Sequence, residues 1–381
     1  MVATFTGRLT LAVLLAAGLQ AQSGEPEVPD QFIPIPESAQ LSPSQVKQAY
    51  IRYNALAKKL NWWKLGLDPA ALTHPLREAA EFVRGGAAAF EAKLEGASQA
   101  LETAREAADF LIWAQQQAGT GVYPFPAYRG ESNAKAMQAA QGYLKRAEQR
   151  GLFEKVVRNG WLIDDTGDGG LQFDNGEAGV AMLRLYGATK ERKYLESALK
   201  SAGWAAARPI VRNWNYNSFS VYLLAAAFNE TGEARYLEAA KQKALTGVIP
   251  GQLTAGPHAG RWADPHNARP TYHYIMMRAL AELYGAMPAD DSDRPRIRRA
   301  LQLGLLARNA DFVERGAPCK DSALDALLVV ERVFAADPKF LRETRSDVAL
   351  ERLKKLLAAE YLSGKLPTAP GPWGTLLHDS R

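Results

Sequence analysis

The chain has 381 residues, of which 47% are hydrophobic and 23% charged, and this balance excludes a wholly disordered protein. Its mean hydropathy is -0.25, and no apolar run reaches the roughly 18 residues that a membrane-spanning helix needs. The single cysteine, Cys319, excludes an intramolecular disulfide and argues against a Cys/His zinc cage. The formal net charge of +5 permits an anionic partner without requiring one.

The N-terminus has the pattern of an export signal. Arg8 precedes an almost unbroken apolar run, Leu9 to Leu19, and small and polar residues follow. We therefore expect a signal peptide over 1–22 and a secreted or periplasmic protein with no nucleic-acid partner and no stable membrane insertion. A Pro-rich N-terminal tail (23–43), a folded domain (44–365) and a C-terminal tail (366–381) follow in this interpretation, which leaves the oligomeric state open.

Most of the remaining chain is predicted to be helical, because Ala, Leu, Glu, Lys and Arg recur at helical spacing. The predicted helices are 44–60, 76–94, 98–117, 132–150, 176–187, 190–206, 217–230, 233–246, 271–286, 293–309, 320–335 and 338–360. Only the segment 155–164 has the pattern of a short strand.

An internal repeat groups these helices in pairs. The segment Thr189 to Ala198 matches Thr231 to Ala240, and two more degenerate copies follow, in 279–300 and 327–341. Repeats of helix, short turn and helix at this period are typical of stacked helical hairpins.

The connections between helices differ in length, which predicts where function lies. Turns inside a hairpin are short, whereas the loops between hairpins are long (119–131, 151–175, 207–216, 247–270 and 310–319). In a stack of antiparallel pairs all the long loops gather at one end, and long loops are usually functional. One helix of each pair is richly apolar and its partner is charged, which favours an inner and an outer ring over an open solenoid. The sequence thus predicts an all-α fold, an α/α toroid formed as an incomplete or closed barrel of helical hairpins, with long loops at one end.

The loop before the 176–187 helix is rich in carboxylates. Five acidic residues lie between Asp164 and Glu177, interspersed with glycines, and calcium prefers such oxygen ligands. The predicted metal ligands are Asp164, Asp165, Asp168 and Asp174, with Ca²⁺ as the candidate cofactor. The alternative is a polar turn in which Asp174 or Asn175 caps the helix.

Two other loops carry the side chains that bind sugars. Asparagines alternate with aromatic residues before the 217–230 helix, and amides and flat rings suit sugar hydroxyls and sugar faces. Its predicted substrate-binding residues are Asn213, Trp214, Asn215 and Asn217, with Tyr123 from the 119–131 loop. The alternatives are an Asn-rich turn with Trp214 packed in the core, and a 119–131 loop whose aromatic residues simply fill the end of the barrel.

The loop before the 271–286 helix concentrates three of the five histidines. Histidine carries protons at neutral pH, and Tyr or Arg holds an anionic group. The predicted catalytic residues are Arg261, His266, Arg269, Tyr272 and His273, with Trp262 and Asp264 as substrate contacts. For any single histidine a structural role is the alternative.

Three segments resemble known enzymes. The helix 107–115 followed by Gly121-Val122-Tyr123-Pro124, the start Leu171 to Asn175, and the turn Thr231 to Ala240 resemble segments of the α/α-toroid carbohydrate-active enzymes. Across 76–335 the chain is most similar to the α/α-barrel pectate lyases.

The resemblance implies a lyase that acts by β-elimination on a uronic-acid polymer such as pectate. Asp164, Asp165 and Asp168 would then hold the cation, while Arg261, Arg269 or His266 would neutralise the substrate carboxylate or act as base. Two alternatives remain. A toroid glycoside hydrolase would use Asp174 or Glu177 with Asp264 as its carboxylate pair, and a non-catalytic helical-repeat protein would bind a glycan or a protein through the same loops.

Overall fold

The computed structural model describes residues 31–128 and 134–365. The predicted signal peptide, the start of the Pro-rich tail and the C-terminal tail lie outside the described residues. Within those residues, no helix combines the length and the apolar character needed to span a bilayer.

Fifteen helices and three two-residue strands make up the described part of the chain. The helices are α1 (Pro43–Leu60), α2 (Leu76–Glu91), α3 (Ala97–Ala118), α4 (Lys135–Gln149), α5 (Phe153–Val156), α6 (Gly170–Thr189), α7 (Arg192–Ala207), α8 (Trp214–Thr231), α9 (Ala234–Gly247), α10 (Pro265–Ala268), α11 (Pro270–Ala286), α12 (Arg294–Glu314), α13 (Asp321–Val333), α14 (Pro338–Glu343) and α15 (Ser346–Leu362). Short 3-10 turns occupy Pro69–Ala71 and Ile249–Gly251. The strands β1 (Phe125–Pro126), β2 (Val157–Arg158) and β3 (Trp161–Leu162) form a small antiparallel sheet in the order β1-β3-β2.

Five helices form an inner ring, in which α2, α6, α8, α11 and α13 contact one another in succession. Each packs against an outer helix, namely α3, α7, α9, α12 or α15. The apolar composition of the inner helices explains the division, because nearly every side chain of α8 from Asn215 to Ala227 is buried. This arrangement confirms the predicted α/α toroid.

The inner helices run parallel, so their N-termini share one end of the ring. Near their starts, α2 and α6 are joined by Arg77 and Asp174, while α8 and α11 are joined near their ends by Asn229 and Glu282. Within residues 31–128 and 134–365, the long connections therefore lie at the N-terminal end of the inner helices, as predicted.

Two inner helices begin earlier than predicted. Helix α6 starts at Gly170 instead of 176, and α8 starts at Trp214 instead of 217. The alternative in which Asp174 or Asn175 caps α6 is therefore wrong, since Gly169 occupies that position with a positive φ of 98°. The first turns of α6 and α8 contain polar residues because they line the polar end of the ring. In the amino-acid sequence such residues resemble those of a loop.

One predicted outer helix is divided. The segment predicted as a single helix over 338–360 forms α14 and α15, and Arg345 between them has a φ of 54°. The predicted strand segment 155–164 likewise forms the β2–β3 hairpin.

The N-terminal segment packs across the ring. The Phe82 ring of α2 contacts Tyr53 of α1 and Trp63, with centroid distances of 6.0 and 4.9 Å. Further upstream, Ile33 exchanges two backbone hydrogen bonds with Ala317, just before α13. The segment thus links the first inner helix to the last.

Candidate active site

A cavity of about 170 Å³ lies inside the ring at the N-terminal end of the inner helices. Four inner helices line it: Arg77, Glu78, Glu81 and Arg84 from α2, Phe173 and Glu177 from α6, Ile275 and Arg278 from α11, and Asp321, Ser322 and Asp325 from α13. Spacings of three and four residues place the α2 and α13 side chains on one face of each helix. The cavity is therefore dominated by charged groups.

Its floor is a closed ring of four ion pairs, called here the ion ring: Arg84, Glu177, Arg278 and Asp325. Arg84 contacts Glu177 at 3.2 Å and Asp325 at 3.0 Å. Arg278 contacts the same two carboxylates, reaching Asp325 at 3.2 Å. Opposite charges alternate around the ring, which is the arrangement that makes buried charges tolerable.

Two carboxyl groups above the ion ring are only partly satisfied. Oε2 of Glu81 and Oδ1 of Asp321 are buried and have no hydrogen-bond partner within the described part of the chain. Burial raises the pKa of Glu81 well above its ordinary value, although Arg84 opposes the shift. Burial also raises the pKa of Asp321, with Lys320 opposing. A carboxyl group that stays protonated near neutral pH can donate a proton to a substrate.

Arg77 marks the rim of the cavity. It donates to Asp174 at 2.7 Å, and its guanidinium lies 4.5 Å from the centroid of the Phe173 ring. Phe173 in turn stacks on Phe219, with 4.3 Å between centroids. The buried Asp174 thus holds Arg77 in place, and Phe173 supports it from below.

Tyrosine hydroxyls extend the rim. Tyr143 and Tyr216 are hydrogen-bonded to each other, and Tyr216 lies within electrostatic reach of Arg77 and Tyr272. Tyr272 stacks on His266 with 4.4 Å between ring centroids. Burial raises the pKa of Tyr216, so its hydroxyl is protonated at neutral pH. Of the predicted catalytic residues, His266 and Tyr272 therefore reach the edge of this site.

The other predicted catalytic residues lie elsewhere. His273 is fully buried, its Nε2 is 2.8 Å from the Gly304 carbonyl oxygen, and burial lowers its pKa well below the ordinary value. It is a neutral core histidine, so its predicted catalytic role is wrong. Arg261 is directed to Asp311, 3.8 Å away, and Arg269 is exposed at the start of α11. The five residues do not form one site.

Several predicted sugar contacts are structural. Tyr123 is fully buried with its hydroxyl 2.7 Å from Ser197 Oγ, and Trp262 donates to the Val248 carbonyl oxygen at 2.9 Å. Neither can meet a substrate without unfolding its surroundings. Their burial in the core corrects the prediction.

The side chains of the asparagine loop mainly form hydrogen bonds within the protein. Asn217 binds the backbone of Val211 and Gly247, while Asn215 donates to Asn213 and Asn267. The indole of Trp214 lies against Gly251. Asp264 caps the short helix α10 by accepting from the Asn267 amide. These contacts anchor the connections between hairpins and leave the sugar-binding prediction for this loop without support.

Each of the four predicted calcium ligands forms an ion pair with an arginine. Arg208 contacts both Asp164 and Asp165 at 2.7 Å. Asp168 lies 3.0 Å from Arg146, and Asp174 forms an ion pair with Arg77. Among the described residues, no three side chains of the types that bind metals are grouped to hold an ion. The residues present do not fit a calcium centre, and calcium binding stays a prediction without a site.

Of the charged residues that line the cavity, only Glu177 was predicted from sequence, as a candidate carboxylate of a hydrolase. Loops gave the other candidates, whereas Glu81, Arg84, Arg278 and Asp325 lie one to three turns inside helices. The available signal was a charged residue in an otherwise apolar helix, most clearly Arg278 between Met277 and Ala279. A buried charge needs a partner or a function, so such positions predict a polar interior.

Comparison with known proteins identifies the fold. No protein-family model matches the chain, and no curated protein matches its sequence. A solved polysaccharide lyase matches 89% of this chain over 96% of its own length, at 13% identity and a TM-score of 0.51. A glycosyl hydrolase family 88 protein from Bacteroides vulgatus matches 89% of this chain over 98% of its own length, at 12% identity and a TM-score of 0.52.

At these identities the likeness shows the fold, an α/α toroid of the kind found in carbohydrate-active enzymes. It does not single out the pectate lyases, because one of the two is a hydrolase.

Proposed function

We propose that this protein is a carbohydrate-active enzyme that hydrolyses glycosidic bonds, with the charged cavity as its active site. The observation that carries the proposal is the Glu81 carboxyl group, whose buried Oε2 lacks a partner among residues 31–128 and 134–365 and whose pKa is raised well above its ordinary value. The fold, shared with enzymes that act on polysaccharides, supports the same conclusion.

Glu81 acts as the general acid in this mechanism. The neighbouring carboxylates Asp325 and Glu177 are held by arginines, and their negative charge adds to the burial that keeps Glu81 protonated. Glu81 gives its proton to the glycosidic oxygen as the bond to the sugar carbon breaks. Asp321 is the second carboxyl group, and as a carboxylate it activates water or attacks the sugar carbon.

The size of the cavity favours action at a chain end. Its volume of about 170 Å³ is well below the roughly 300–1,000 Å³ of pockets that enclose drug-sized ligands. One sugar unit is the fitting occupant. The lining carries three arginines and five acidic residues, so its formal charge does not select an acidic sugar, and Arg77 at the rim is the group that the carboxylate of a uronic acid would contact.

The test is Glu81→Gln, assayed by release of reducing ends from uronic-acid oligosaccharides. We expect kcat to fall about 10²–10⁴-fold, the range of general acid–base catalysis. Nitrophenyl glycosides should be far less affected, because their leaving group needs no proton. Glu196→Gln on the exposed surface of α7 is the matched control. Unchanged activity of Glu81→Gln toward the oligosaccharides would reject this role.

A lyase is the second candidate, and the Tyr143–Tyr216 pair beside Arg77 favours it. Arg77 would neutralise the substrate carboxylate. The base would be the tyrosinate of Tyr216, and because burial raises the pKa of Tyr216 this reaction would require alkaline pH. The tyrosinate would remove the C5 proton and return it to the leaving oxygen as the C4–O bond breaks, which leaves an unsaturated uronide and a new reducing end. Growth of ultraviolet absorbance that is lost in Tyr216→Phe and kept in Glu81→Gln would establish this reaction. Lyase activity that requires added calcium and is lost on addition of a chelator would support the predicted cation site.

A protein that binds a glycan without cleaving it is the remaining outcome. It would give neither reducing ends nor ultraviolet absorbance with any polymer, while retaining affinity.

We also propose that the protein is exported, on the strength of the apolar run Leu9 to Leu19 behind Arg8. Expression of the full chain should yield a processed product outside the cytoplasm, with cleavage near residue 22 found by N-terminal sequencing. An unprocessed cytoplasmic product would contradict the proposal.

A further inference from the structure

A second cavity, called here the distal pocket, lies at the opposite end of the ring. Its volume is about 440 Å³, within the range of small-molecule sites. The C-terminal halves of four inner helices line it: Leu183 and Arg184, Ala226, Asn229 and Glu230, Glu282 and Gly285, and Arg332 and Val333. None of these residues belongs to the cavity proposed as the active site.

The distal pocket is organised around the Glu282 carboxylate, which is 2% exposed. Asn229 donates to it at 3.2 Å, Arg332 forms an ion pair with it, and Arg184 lies 3.8 Å away. The side chains of Arg184 and Arg332 are 42% and 51% exposed. Each guanidinium has five N–H donors, and Glu282 occupies only part of them, so donors remain for a ligand.

The electrostatics of the distal pocket disfavour an anion. Two arginines and two glutamates line it, so their formal charges cancel. The C-terminal ends of the surrounding helices add partial negative charge from their carbonyl groups. A ligand that both donates and accepts hydrogen bonds without a net charge suits this lining.

We propose that the distal pocket binds a neutral sugar unit. Pairs of sugar hydroxyls can accept from Arg184 and Arg332 and donate to the exposed Glu230 carboxylate. The proposal concerns a different end of the ring from the cleavage chemistry, and it does not depend on which reaction occurs there.

The distal pocket lies close to the ion ring. Arg184 is hydrogen-bonded to Tyr222, and the Tyr222 ring lies 4.4 Å from the Arg278 guanidinium. Arg278 is itself a member of the ion ring. The Tyr222 side chain thus lies between the distal pocket and the ion ring. Because the two are so close, a sugar bound in the distal pocket can have a measurable effect on catalysis.

The experiment compares binding of neutral and acidic sugars by isothermal titration calorimetry. Glucose, galactose and xylose are the neutral probes, and glucuronate and galacturonate are the acidic ones. The protein carries Glu81→Gln so that no probe is turned over. We expect a neutral probe to bind, and Glu230→Ala and Arg332→Ala each to weaken it about tenfold, the loss of one hydrogen bond to a charged group.

The controls separate this proposal from the previous one. Arg77→Ala should weaken uronate binding at the other end and leave neutral-sugar binding unchanged, and Glu196→Ala should change neither. Neutral-sugar affinity that survives both Glu230→Ala and Arg332→Ala would overturn the proposal. It would also be overturned if only the uronates bind, or if no neutral probe binds at tens of millimolar.

Discussion

Lys243 is a buried basic side chain with an unusual protonation equilibrium. It is 3% exposed, and its Nζ donates to the Arg208 carbonyl oxygen at 2.6 Å. Burial, reinforced by the charge of Arg208, lowers the pKa of Lys243 to about 8. In the unfolded chain the pKa of a lysine is about 10.4, so folding favours the neutral amine.

This difference predicts a stability that rises with pH. Between about pH 8 and pH 10.4 the unfolded state holds the proton and the folded state does not, so the free energy of unfolding increases. The full gain is about 3 kcal/mol at 1.36 kcal/mol per pKa unit. Urea unfolding of the native protein and of Lys243→Met at pH 7.5 and pH 10 isolates the effect. A difference between the two proteins that stays constant with pH would contradict it.

At the scale of single residues, some members of the rim of the cavity could be predicted from sequence. His266 and Tyr272 reach the rim because a cluster of histidines and aromatic residues in a long loop is a local signal. His273 follows Tyr272 directly, yet the helix turns it into the core, where its pKa falls and it becomes neutral. Neighbouring residues on a helix point in different directions, and only the packing decides which direction is interior.

At the scale of elements, two glycines of α6 lie very close to neighbouring helices. A Cβ placed at Gly176 would lie 2.8 Å from the carbonyl oxygen of Phe219 on α8. A Cβ at Gly179 would lie 2.6 Å from Ser201 Oγ on α7. The missing side chains let α6 approach both helices, which brings Glu177 into the ion ring.

The same substitution at two glycines should therefore have opposite effects. Gly176→Ala should destabilise the protein by about 1–3 kcal/mol, the cost of overpacking. Gly203→Ala on the outer helix α7, where nothing lies within 4 Å of the new Cβ, should stabilise it by about 0.5–1 kcal/mol. Chemical denaturation of both variants decides the point, and a stabilising Gly176→Ala would show that α6 and α8 do not touch as described.

For the molecule as a whole, the ion ring joins the beginning of the toroid to its end. Arg84 belongs to α2, the first inner helix, and Asp325 to α13, the last. Glu177 and Arg278 complete the ring from α6 and α11. Helices that are distant in sequence are therefore tied together at the centre of the molecule.

Removing one member of the ion ring should be costly. Arg278→Met leaves Glu177 and Asp325 to share Arg84 alone, and breaking a buried pair costs about 3–5 kcal/mol. Arg105→Met breaks a pair with Glu191 at 2.7 Å, in which the two side chains are 41% and 33% exposed. That control should cost at most about 1 kcal/mol. Equal unfolding midpoints in urea for the two variants would refute a stabilising role of the ring.

The fold class, the pairing of helices and the end at which the long loops gather could all be predicted from the amino-acid sequence. Those features follow from the local composition of each segment and from a sequence repeat, and both can be recognised without knowing how the chain folds. The division into inner and outer helices followed as well, because an inner helix such as α8 is apolar on all sides.

Which charged residues pair with one another depends on how the helices pack in the folded protein. Glu81, Glu177, Arg278 and Asp325 lie on four helices and far apart in sequence, so no spacing along the chain indicates that they converge. The same holds for Asp164 and Asp174, which appear together in one loop but pair with Arg208 and Arg77. Charged groups pair with whichever opposite charge the packing brings near, and that proximity exists only in the folded molecule.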